Sequence, residues 1–279
     1  MRFGFHISIA GGLSKVPDRA EAKRCQTVQL FSRNPRGWKY GQLDLAEARA
    51  LRSGLRTRAI APVFLHLPYL ANLASPDRSL HRLSVASLAE ELRRAGTTGA
   101  GYIVAHVGRR LGSVEEKALD RVAAGINTAL SSVENPVRIL LETTSGMGSE
   151  IGYTFSQIGR ILERVELKRK VGVCLDTAHV FQAGYDISSE TGLDKTITEF
   201  GEEIGLGKLK LLHLNDSRTP LGSRVDRHWH IGRGHIGERG FKRLLGHPAF
   251  AALPAILETP RKRDREDLLN LRMVERLSR

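Results

Sequence analysis

The feature that most constrains the fold is an eightfold alternation of strand-like and helix-like segments along the chain. Apolar runs of strand length begin near Arg2, Gln26, Pro62, Tyr102, Val137, Val171, Leu209 and Ala255. Most of these runs are apolar nearly throughout, which is typical of parallel strands that are covered on both faces. Eight such units in 279 residues predict a closed (β/α)8 TIM barrel, with an open doubly wound sheet as the alternative.

The segments between these runs have helical periodicity. Two of them repeat apolar residues at the i, i+3, i+4, i+7 spacing of an amphipathic helix: Leu119, Val122, Ala123, Ile126 and Leu130 in one, and Phe155, Ile158, Leu162 and Val165 in the other. Asp44 and Ser113 are predicted to begin helices as capping residues, with Glu47 and Glu116 reaching back to them. The run from Arg261 to Glu266 is interpreted as a solvated turn before the last helix.

The domain organisation is predicted to be simple. Neither a Pro/Ser-rich linker nor a low-complexity tract interrupts the sequence, so residues 1–279 are expected to form a single barrel domain. Active sites of such barrels lie at the C-terminal ends of the strands, where the loops converge on one mouth.

Six consecutive strand-like runs end in His, Asp or Glu. These residues are His66, His106, Glu142, Asp176, His213 and Glu258, and His179 follows shortly after Asp176. A single histidine at a strand end is more often a hydrogen-bonded structural residue, but buried carboxylates without a partner cost several kcal/mol each. Imidazoles and carboxylates without a thiolate favour zinc, manganese or another divalent cation.

A long glycine-rich stretch follows the seventh strand and carries further ligand-type residues. Asp226 and His228 are two residues apart, so in extended backbone their side chains point the same way. Long loops in compact domains are usually functional, and the alternative is a surface loop with incidental histidines.

The net charge indicates the kind of binding partner, and the cysteine content indicates the cellular compartment. Lys and Arg number 43 and Asp and Glu 30, which gives a net charge of +13. Such a balance favours a polyanion, either nucleic acid or less often an anionic membrane surface, although a basic-biased proteome would also produce it. Two cysteines suit a reducing compartment. Because the sequence contains no long apolar run, we predict that it has no signal peptide and no membrane span. We therefore expect a cytoplasmic protein without a membrane partner.

Several ordered motifs make the whole chain resemble the endonuclease IV family of zinc-dependent apurinic/apyrimidinic endonucleases. The matching stretches are 5–12, 66–73, Leu141-Glu-Thr-Thr-Ser-Gly146, Gly172-Val-Cys-Leu-Asp-Thr-Ala-His179 with Ala183-Gly-Tyr-Asp186, His213-Leu-Asn-Asp216, Gly222-Ser-Arg-Val-Asp-Arg-His228 and Leu257-Glu-Thr259. The resemblance implies three Zn²⁺ ions per chain, with Mn²⁺ as an alternative occupant of one site. By position the ligands of the three ions would be, in turn, His66, His106 and Glu142; Glu142, Asp176, His213 and Glu258; and His179, Asp226 and His228.

The resemblance also implies the reaction and its substrate. Duplex DNA would be hydrolysed 5′ to an abasic site, leaving a 3′-hydroxyl, in base excision repair, and blocked 3′ ends would be additional substrates. Glu258 and Glu142 would be the catalytic carboxylates, with Glu258 orienting the attacking water. A monomer that associates with the nucleoid when it acts on DNA is expected.

Loops after the second, third, fourth and seventh strands are the expected DNA contacts. By resemblance Arg36, Tyr69 and Leu70 would enter the DNA at the lesion. Basic residues predicted to surround the mouth are Arg33, Arg36, Lys39, Arg109, Arg110, Arg218, Arg224, Arg227 and Arg233. His6, Ser8 and Asn215 are expected behind the metal ligands.

Two departures from the family pattern add positive charge near the mouth. His106-Val-Gly-Arg-Arg110 stands where the family commonly has His-Pro-Gly-Ser-His, and Gly232-Arg-Gly234 stands where it has Gly-Glu-Gly. Neither removes an expected ligand.

Two other functions remain open from the sequence. A sugar isomerase or epimerase of the same barrel type would explain the residues at the strand ends, but not the pair Asp226 and His228 or the net charge. A non-catalytic DNA-binding protein on a decayed nuclease scaffold would explain the charge, but not the retention of all nine ligands.

Overall fold

The chain closes into a barrel of eight parallel strands. The computed structural model describes residues 1–261 and 264–279. The barrel strands are β1 (Arg2–His6), β2 (Thr27–Leu30), β3 (Val63–His66), β4 (Tyr102–His106), β5 (Arg138–Glu142), β6 (Val171–Asp176), β7 (Leu209–His213) and β10 (Pro254–Leu257). They follow one another around the ring in chain order, and β10 pairs with β1 to close it. The predicted (β/α)8 barrel is confirmed, and each strand begins within one residue of its predicted start.

Helices cover the outside of the ring. They are α1 (Val16–Ala22), α2 (Leu45–Thr57), α3 (Arg78–Thr98), α4 (Glu115–Ser131), α5 (Phe155–Arg164), α6 (Thr177–Ala183), α7 (Glu190–Glu203), α8 (Gly237–Gly246) and α9 (Asp264–Leu277). Two short antiparallel strands of two residues each, β8 (Asp216–Ser217) and β9 (His228–Trp229), pair in the long connection after β7. The apolar faces predicted for α4 and α5 are buried between helix and barrel.

The predicted helix starts are only partly correct. Asp44 caps α2 by accepting hydrogen bonds from the amides of Ala46 and Glu47. Glu47 does not complete a capping box, because its carboxylate accepts from the amide of Ser14 at 2.7 Å. Ser113 does not cap α4 either: Val114 occupies the cap position, and the Ser113 hydroxyl instead accepts from Arg121. In both cases a tertiary contact takes the side chain that local geometry would have used.

A layer of apolar side chains fills the interior of the barrel. It consists of Phe64, Val104, Leu140, Cys174, Leu211 and Ile256, one from each of six strands, with Tyr102 packed against it. Side chains in a strand alternate between its two faces, so the residue two positions further along each strand also points inward. Those six residues are His66, His106, Glu142, Asp176, His213 and Glu258. The polar layer at the mouth is therefore the next inward-facing layer above an apolar plug.

Among the described residues, no helix is both long enough and apolar enough to cross a membrane. The charged run predicted as a turn before α9 falls partly outside the described residues, since residues 262 and 263 are not included.

Candidate metal centre

Strand register brings the predicted ligands side by side at the mouth. His106 lies opposite Glu142 in the β4–β5 ladder, and Asp176 lies opposite His213 in the β6–β7 ladder. Three groups of side chains bring potential ligand atoms within 4.8 Å of one another: His66, His106 and Glu142; Glu142, Asp176, His213 and Glu258; and Asp176, His179 and His228.

Glu142 joins the first two groups. Its Oε2 lies 3.2 Å from Nε2 of His66 and 3.1 Å from Nε2 of His106, while its Oε1 lies 2.9 Å from Nδ1 of His213. The carboxylate is fully buried. Burial by itself raises the pKa of Glu142, but the imidazoles of His106 and His213 outweigh it and hold this pKa well below its usual range.

The second group adds two more carboxylates around His213. Nδ1 of His213 lies 3.2 Å from Oε2 of Glu258 and 3.9 Å from Oδ2 of Asp176. Burial lowers the pKa of His213, whereas Cys174, Glu258 and Glu142 raise it, so the net direction is well above the ordinary value. Three carboxylates thus lie within 4 Å of Nδ1 of His213.

The third group lies beside the second and is built from different elements. His179 stands in the first turn of α6, whose N-cap is Asp176, and His228 stands in β9. Nε2 of His228 lies 3.5 Å from Oδ2 of Asp176. Asp226 is adjacent, with Oδ1 3.4 Å from Nε2 of His179 and 3.7 Å from Nε2 of His228. The two side chains predicted to point the same way, Asp226 and His228, do so.

Hydrogen bonds behind the histidines fix which nitrogen faces the cluster. Nδ1 of His66 lies 2.8 Å from the carbonyl of Leu67, and Nδ1 of His179 lies 2.9 Å from the carbonyl of Thr143. Nδ1 of His228 faces the carbonyl of Glu258 at 3.3 Å. A carbonyl only accepts, so in each ring Nδ1 carries a hydrogen, and in the neutral imidazole Nε2 keeps its lone pair for the cluster.

This arrangement is the one that a metal ion requires of its donors. Nε2 of His179 and Nε2 of His228 are 3.2 Å apart, and both are acceptors when their Nδ1 atoms carry the hydrogens. Facing lone pairs repel each other unless a proton or a metal cation lies between them. Histidines that bind metals commonly donate their other ring nitrogen to a carbonyl or carboxylate, as these do. The residues present therefore fit divalent cations such as zinc.

A buried carboxylate holds the loop that carries Asp226 and His228. Asp216 accepts hydrogen bonds from the amides of Ser217, Gly234, Ile236 and Gly237. Burial raises the pKa of Asp216, and these amides oppose the rise. A Cβ at Gly234 would come within 2.2 Å of the Ser217 carbonyl oxygen, so only glycine allows this close approach. Asp216 of the His213–Asp216 motif is thus a loop anchor.

Sequence reasoning missed Gln29, which connects two of the ligands. Its Nε2 donates to Oε1 of Glu258 at 2.6 Å, and its Oε1 lies 2.9 Å from Nε2 of His213. Gln29 is fully buried in β2, and the unusual amide inside an otherwise apolar strand was the available signal. Because Gln29 accepts from Nε2 of His213, the Nδ1 atom of that ring faces the carboxylates.

Of the three residues expected behind the ligands, Asn215 and His6 contact a proposed ligand and Ser8 does not. Asn215 donates to Oδ2 of Asp176 at 2.7 Å and accepts from the amide of Glu258 at 2.9 Å. Nδ1 of His6 lies 3.4 Å from Oε1 of Glu258. Ser8 was wrongly expected here: it is exposed, and its hydroxyl accepts from the amide of Ala10.

A cavity of about 770 Å³ opens directly over the histidines and carboxylates. Arg36 and Tyr69 line it together with six of the proposed ligands, and Arg261 also lines it, although the sequence predicted only a solvated turn at that residue. Tyr69 is 64% exposed and packs edge-on against Phe31. Leu70 is exposed beside it. Two of the three predicted wedge residues therefore face the same space as the ligands.

The basic residues around the mouth are not equally available. Arg33 is buried and paired with Glu91 of α3, so its prediction as a mouth cation is wrong. Arg109 pairs with Glu150 at 3.0 Å. Arg224 lies over the ring of Tyr153 and Arg218 over that of Trp229.

Arg110 and Arg227 are exposed, and each donates one hydrogen bond to a backbone carbonyl, of Ser113 and of Asp226 respectively. Most of their guanidinium donors therefore remain for an anion.

Comparisons with known proteins agree with this geometry. Residues 18–274 match the family described as xylose isomerase-like TIM barrel. The chain is 44% identical to a probable endonuclease 4 of Methanoculleus marisnigri, and the match covers 99% of this chain and 98% of that one. The crystal structure of endonuclease IV from Thermus thermophilus superposes with a TM-score of 0.88 at 35% identity, over 99% of this chain and 98% of that one.

A D-tagatose 3-epimerase-like protein also superposes, with a TM-score of 0.73 over 99% of this chain and 97% of that one. The identity in this case is 17%, so the likeness shows the shared barrel alone.

Proposed function

The chain belongs to the endonuclease IV family, and we propose from this premise that it is an apurinic/apyrimidinic endonuclease of DNA repair. The reaction is hydrolysis of the phosphodiester 5′ to an abasic site, which leaves a 3′-hydroxyl. The observation that carries the proposal is the set of three contiguous donor groups beneath a cavity lined by Arg36 and Tyr69.

The proposed ligand sets coincide with the first two of these groups, and the third set has Asp226 where the third group has Asp176. His66, His106 and Glu142 hold one Zn²⁺; Glu142, Asp176, His213 and Glu258 hold a second; and His179, Asp226 and His228 hold the third. The distances of Asp226 from both histidines support its place in the third set, and the position of Asp176 beside His228 supports contact between the second and third sets. Mn²⁺ is an alternative occupant of one site.

Bound zinc supplies a strong nucleophile from water near neutral pH and neutralises charge on the phosphate. Three divalent cations exceed the charge of the four carboxylates, which leaves the centre positive and suited to an anionic substrate.

The two catalytic carboxylates have different tasks. Glu142 is fully buried and contacts three histidines, so it fixes the spacing of the first two sets. Glu258 has a partly exposed side chain and lines the cavity, so its oxygens can accept a hydrogen bond from the attacking water and direct it toward phosphorus. Gln29 and His6 hold Oε1 of Glu258, which leaves Oε2 toward His213.

Arg36, Tyr69 and Leu70 recognise the lesion. An abasic nucleotide has lost its stacking, so its extrusion from the duplex has a low energetic cost. Tyr69 and Arg36 line the cavity and Leu70 follows on the exposed turn, which supports their insertion into the duplex. Arg109, Arg110 and Arg227 contact phosphates. The guanidinium of Arg109 also pairs with Glu150, so a phosphate competes with this carboxylate for it.

Further proposals concern the setting of this activity. Blocked 3′ ends of DNA are additional substrates. The protein acts as a monomer in the cytoplasm and associates with the nucleoid while it acts on DNA. These proposals rest on the family and on the net charge of +13.

Incision of a duplex that contains one abasic analogue tests the proposed function. We expect zinc-loaded protein to cut this strand once, 5′ to the analogue, and to leave the matched undamaged duplex intact. Damage-specific binding without incision would instead favour a DNA-binding protein on a decayed scaffold. Turnover of a ketose by protein that holds one or two Mn²⁺ or Mg²⁺ ions would favour a sugar epimerase.

A further inference from the structure

A second basic site lies at the end of the barrel opposite the mouth. A cavity of about 490 Å³ opens there where β5, β6 and β7 begin. Five cationic side chains line it: Arg138, Lys168, Arg169, Lys208 and Lys210. None of its lining residues, all of which lie within residues 138–210 of the described chain, is acidic.

This cavity is separate from the metal centre. Arg138 is the first residue of β5 and Glu142 is the last. At a strand rise of about 3.3 Å per residue, roughly 13 Å of barrel lies between them. The apolar plug that includes Leu140 fills that space. A single phosphate therefore cannot contact both sites.

Backbone contacts hold Lys208 in the cavity. Nζ of Lys208 donates to the carbonyl of Lys168 at 2.5 Å and to that of Val171 at 3.4 Å. A Cβ at Gly172 would lie 2.8 Å from the Lys208 carbonyl oxygen and 3.1 Å from Cγ of Lys210. Glycine in β6 thus allows Lys208, which directly precedes β7, and Lys210, which lies in β7, to approach closely.

The positive charges oppose one another in the protein alone. Burial lowers the pKa of Lys208, and the neighbouring Lys168, Lys210 and Arg138 lower it further. The partners of Lys208 are carbonyl groups, which accept its hydrogens and carry no full negative charge. A bound anion would relieve this repulsion.

We propose that this cavity is a second DNA-binding site, which takes the phosphate backbone of an undamaged duplex segment while the mouth holds another. Lys208 and Lys210 are half-buried at its floor, and Arg138, Lys168 and Arg169 are exposed at its rim. Charges distributed over floor and rim match a run of successive phosphates better than one small anion. This inference rests on the proposed function in one respect: the function identifies duplex DNA as the polyanion that the protein binds.

Two sites on opposite ends allow direct transfer between DNA segments. A second duplex can bind before the first one leaves, so the protein moves without passing through a free state. Binding at the second basic site does not distinguish damaged from undamaged DNA, because the phosphates of both are the same.

The test uses zinc-loaded protein bound to a labelled undamaged hairpin duplex and challenged with increasing unlabelled duplex. For the unsubstituted protein we expect the dissociation rate to rise with competitor concentration, and sedimentation at low salt to reveal a second bound duplex. For the double variant Lys168→Gln and Arg169→Gln we expect a competitor-independent rate. Any second-duplex binding that remains in this variant should have a log–log salt slope smaller by about 1.8, near 0.9 per lost contact.

A matched control and a small anion make the outcome decisive. Arg49 and Arg56 are exposed on α2, so Arg49→Gln with Arg56→Gln removes the same charge elsewhere and should keep the competitor dependence. Equal loss in both variants, or no loss in either, overturns the proposal. Tripolyphosphate binding that requires Lys168 and Arg169, without any second bound duplex, overturns DNA as the occupant. All three proteins should incise a short abasic duplex equally; absence of incision in the unsubstituted protein counts against the proposed function alone.

Discussion

The guanidinium of Arg33 and the carboxylate of Glu91 form a buried ion pair that ties the loop after β2 to helix α3. Nε of Arg33 donates to Oε1 of Glu91 at 2.8 Å, and their side chains are 6% and 0% exposed. The other nitrogens of Arg33 donate to the hydroxyl of Ser87 and to the carbonyl of Gly37. Arg36, which lines the cavity over the metal centre, lies in the chain between Arg33 and Gly37, whose carbonyl Arg33 binds. The pair therefore fixes the position of the loop that carries Arg36, a residue proposed to recognise the lesion.

Loss of Arg33 should destabilise the fold and loosen this loop. Arg33→Ala leaves the Glu91 carboxylate buried without its partner, which costs about 3–5 kcal/mol in typical buried pairs. Urea unfolding should show this loss, whereas Arg36→Ala, an exposed neighbour, should change stability by less than about 0.5 kcal/mol. A stability of Arg33→Ala equal to that of Arg36→Ala would show that the pair does not anchor the loop.

The proposed ligand sets predict the metal content. The nine residues of the three proposed sets should retain close to three zinc ions per chain after purification without a chelator. Elemental analysis of the pure protein measures this number, and a finding of one ion or none would refute the trinuclear centre. His228→Ala should lower the content by one ion, because it removes a donor from the third set alone.

Glu258→Gln should separate catalysis from binding. The substitution preserves shape but removes a charge and a proton acceptor at the edge of the cavity. We expect the incision rate to fall by about 10² or more, the usual scale for one general base. Affinity for the abasic duplex, measured by fluorescence anisotropy, should persist. Near-normal single-turnover rates would exclude Glu258 from the reaction.

Gln29→Ala tests a residue that touches the ligands without being one. It removes the donor to Glu258 and the acceptor that orients His213. Substitutions of groups that orient metal ligands typically lower metal affinity or activity about 10–100-fold. Zinc titration of the apoprotein should show weaker binding at one site, and Gln29→Glu should restore part of it by still accepting from His213. Unchanged zinc affinity in Gln29→Ala would contradict this positioning role.

Lesion recognition and phosphate binding should respond to different substitutions. Tyr69→Ala and Arg36→Ala should reduce the preference for an abasic duplex over an undamaged one, because we propose that their side chains fill the gap left by the extruded nucleotide. Arg110→Ala and Arg227→Ala should weaken both duplexes alike and flatten the salt dependence by about 0.9 per contact. Binding titrations at several salt concentrations distinguish the two classes. If Tyr69→Ala keeps the full lesion preference, Tyr69 only covers the end of the barrel.

Arg109→Ala is expected to be less informative than Arg110→Ala. Arg109 already pairs with Glu150, and the backbones of these two residues form an isolated bridge between the loops after β4 and β5. Its loss would therefore mix a phosphate contact with a change in loop position, which sequence spacing alone did not reveal.

The barrel and its polar mouth could be predicted from the sequence because both depend on local patterns. Parallel strands covered on both faces are apolar throughout, and a polar residue at the end of such a strand is visible as an interruption. Phe64 and His66, or Leu140 and Glu142, lie two positions apart, so the pleat of one strand places both on its inner face. Closure of the ring then brings strand ends together without further information.

Contacts between distant segments were decided only by the tertiary structure. Gln29 and Glu258 are 229 residues apart and meet because β10 closes the ring next to β1, near β2. The sequence places Arg33 among the basic residues around the mouth, but in the structure Arg33 is buried against Glu91 of α3. The cations from Arg138 to Lys210 are ordinary surface residues in sequence and form one cavity only because β5, β6 and β7 begin side by side. Periodicity specifies which face of an element is buried, whereas the partner that each side chain meets depends on how the elements pack.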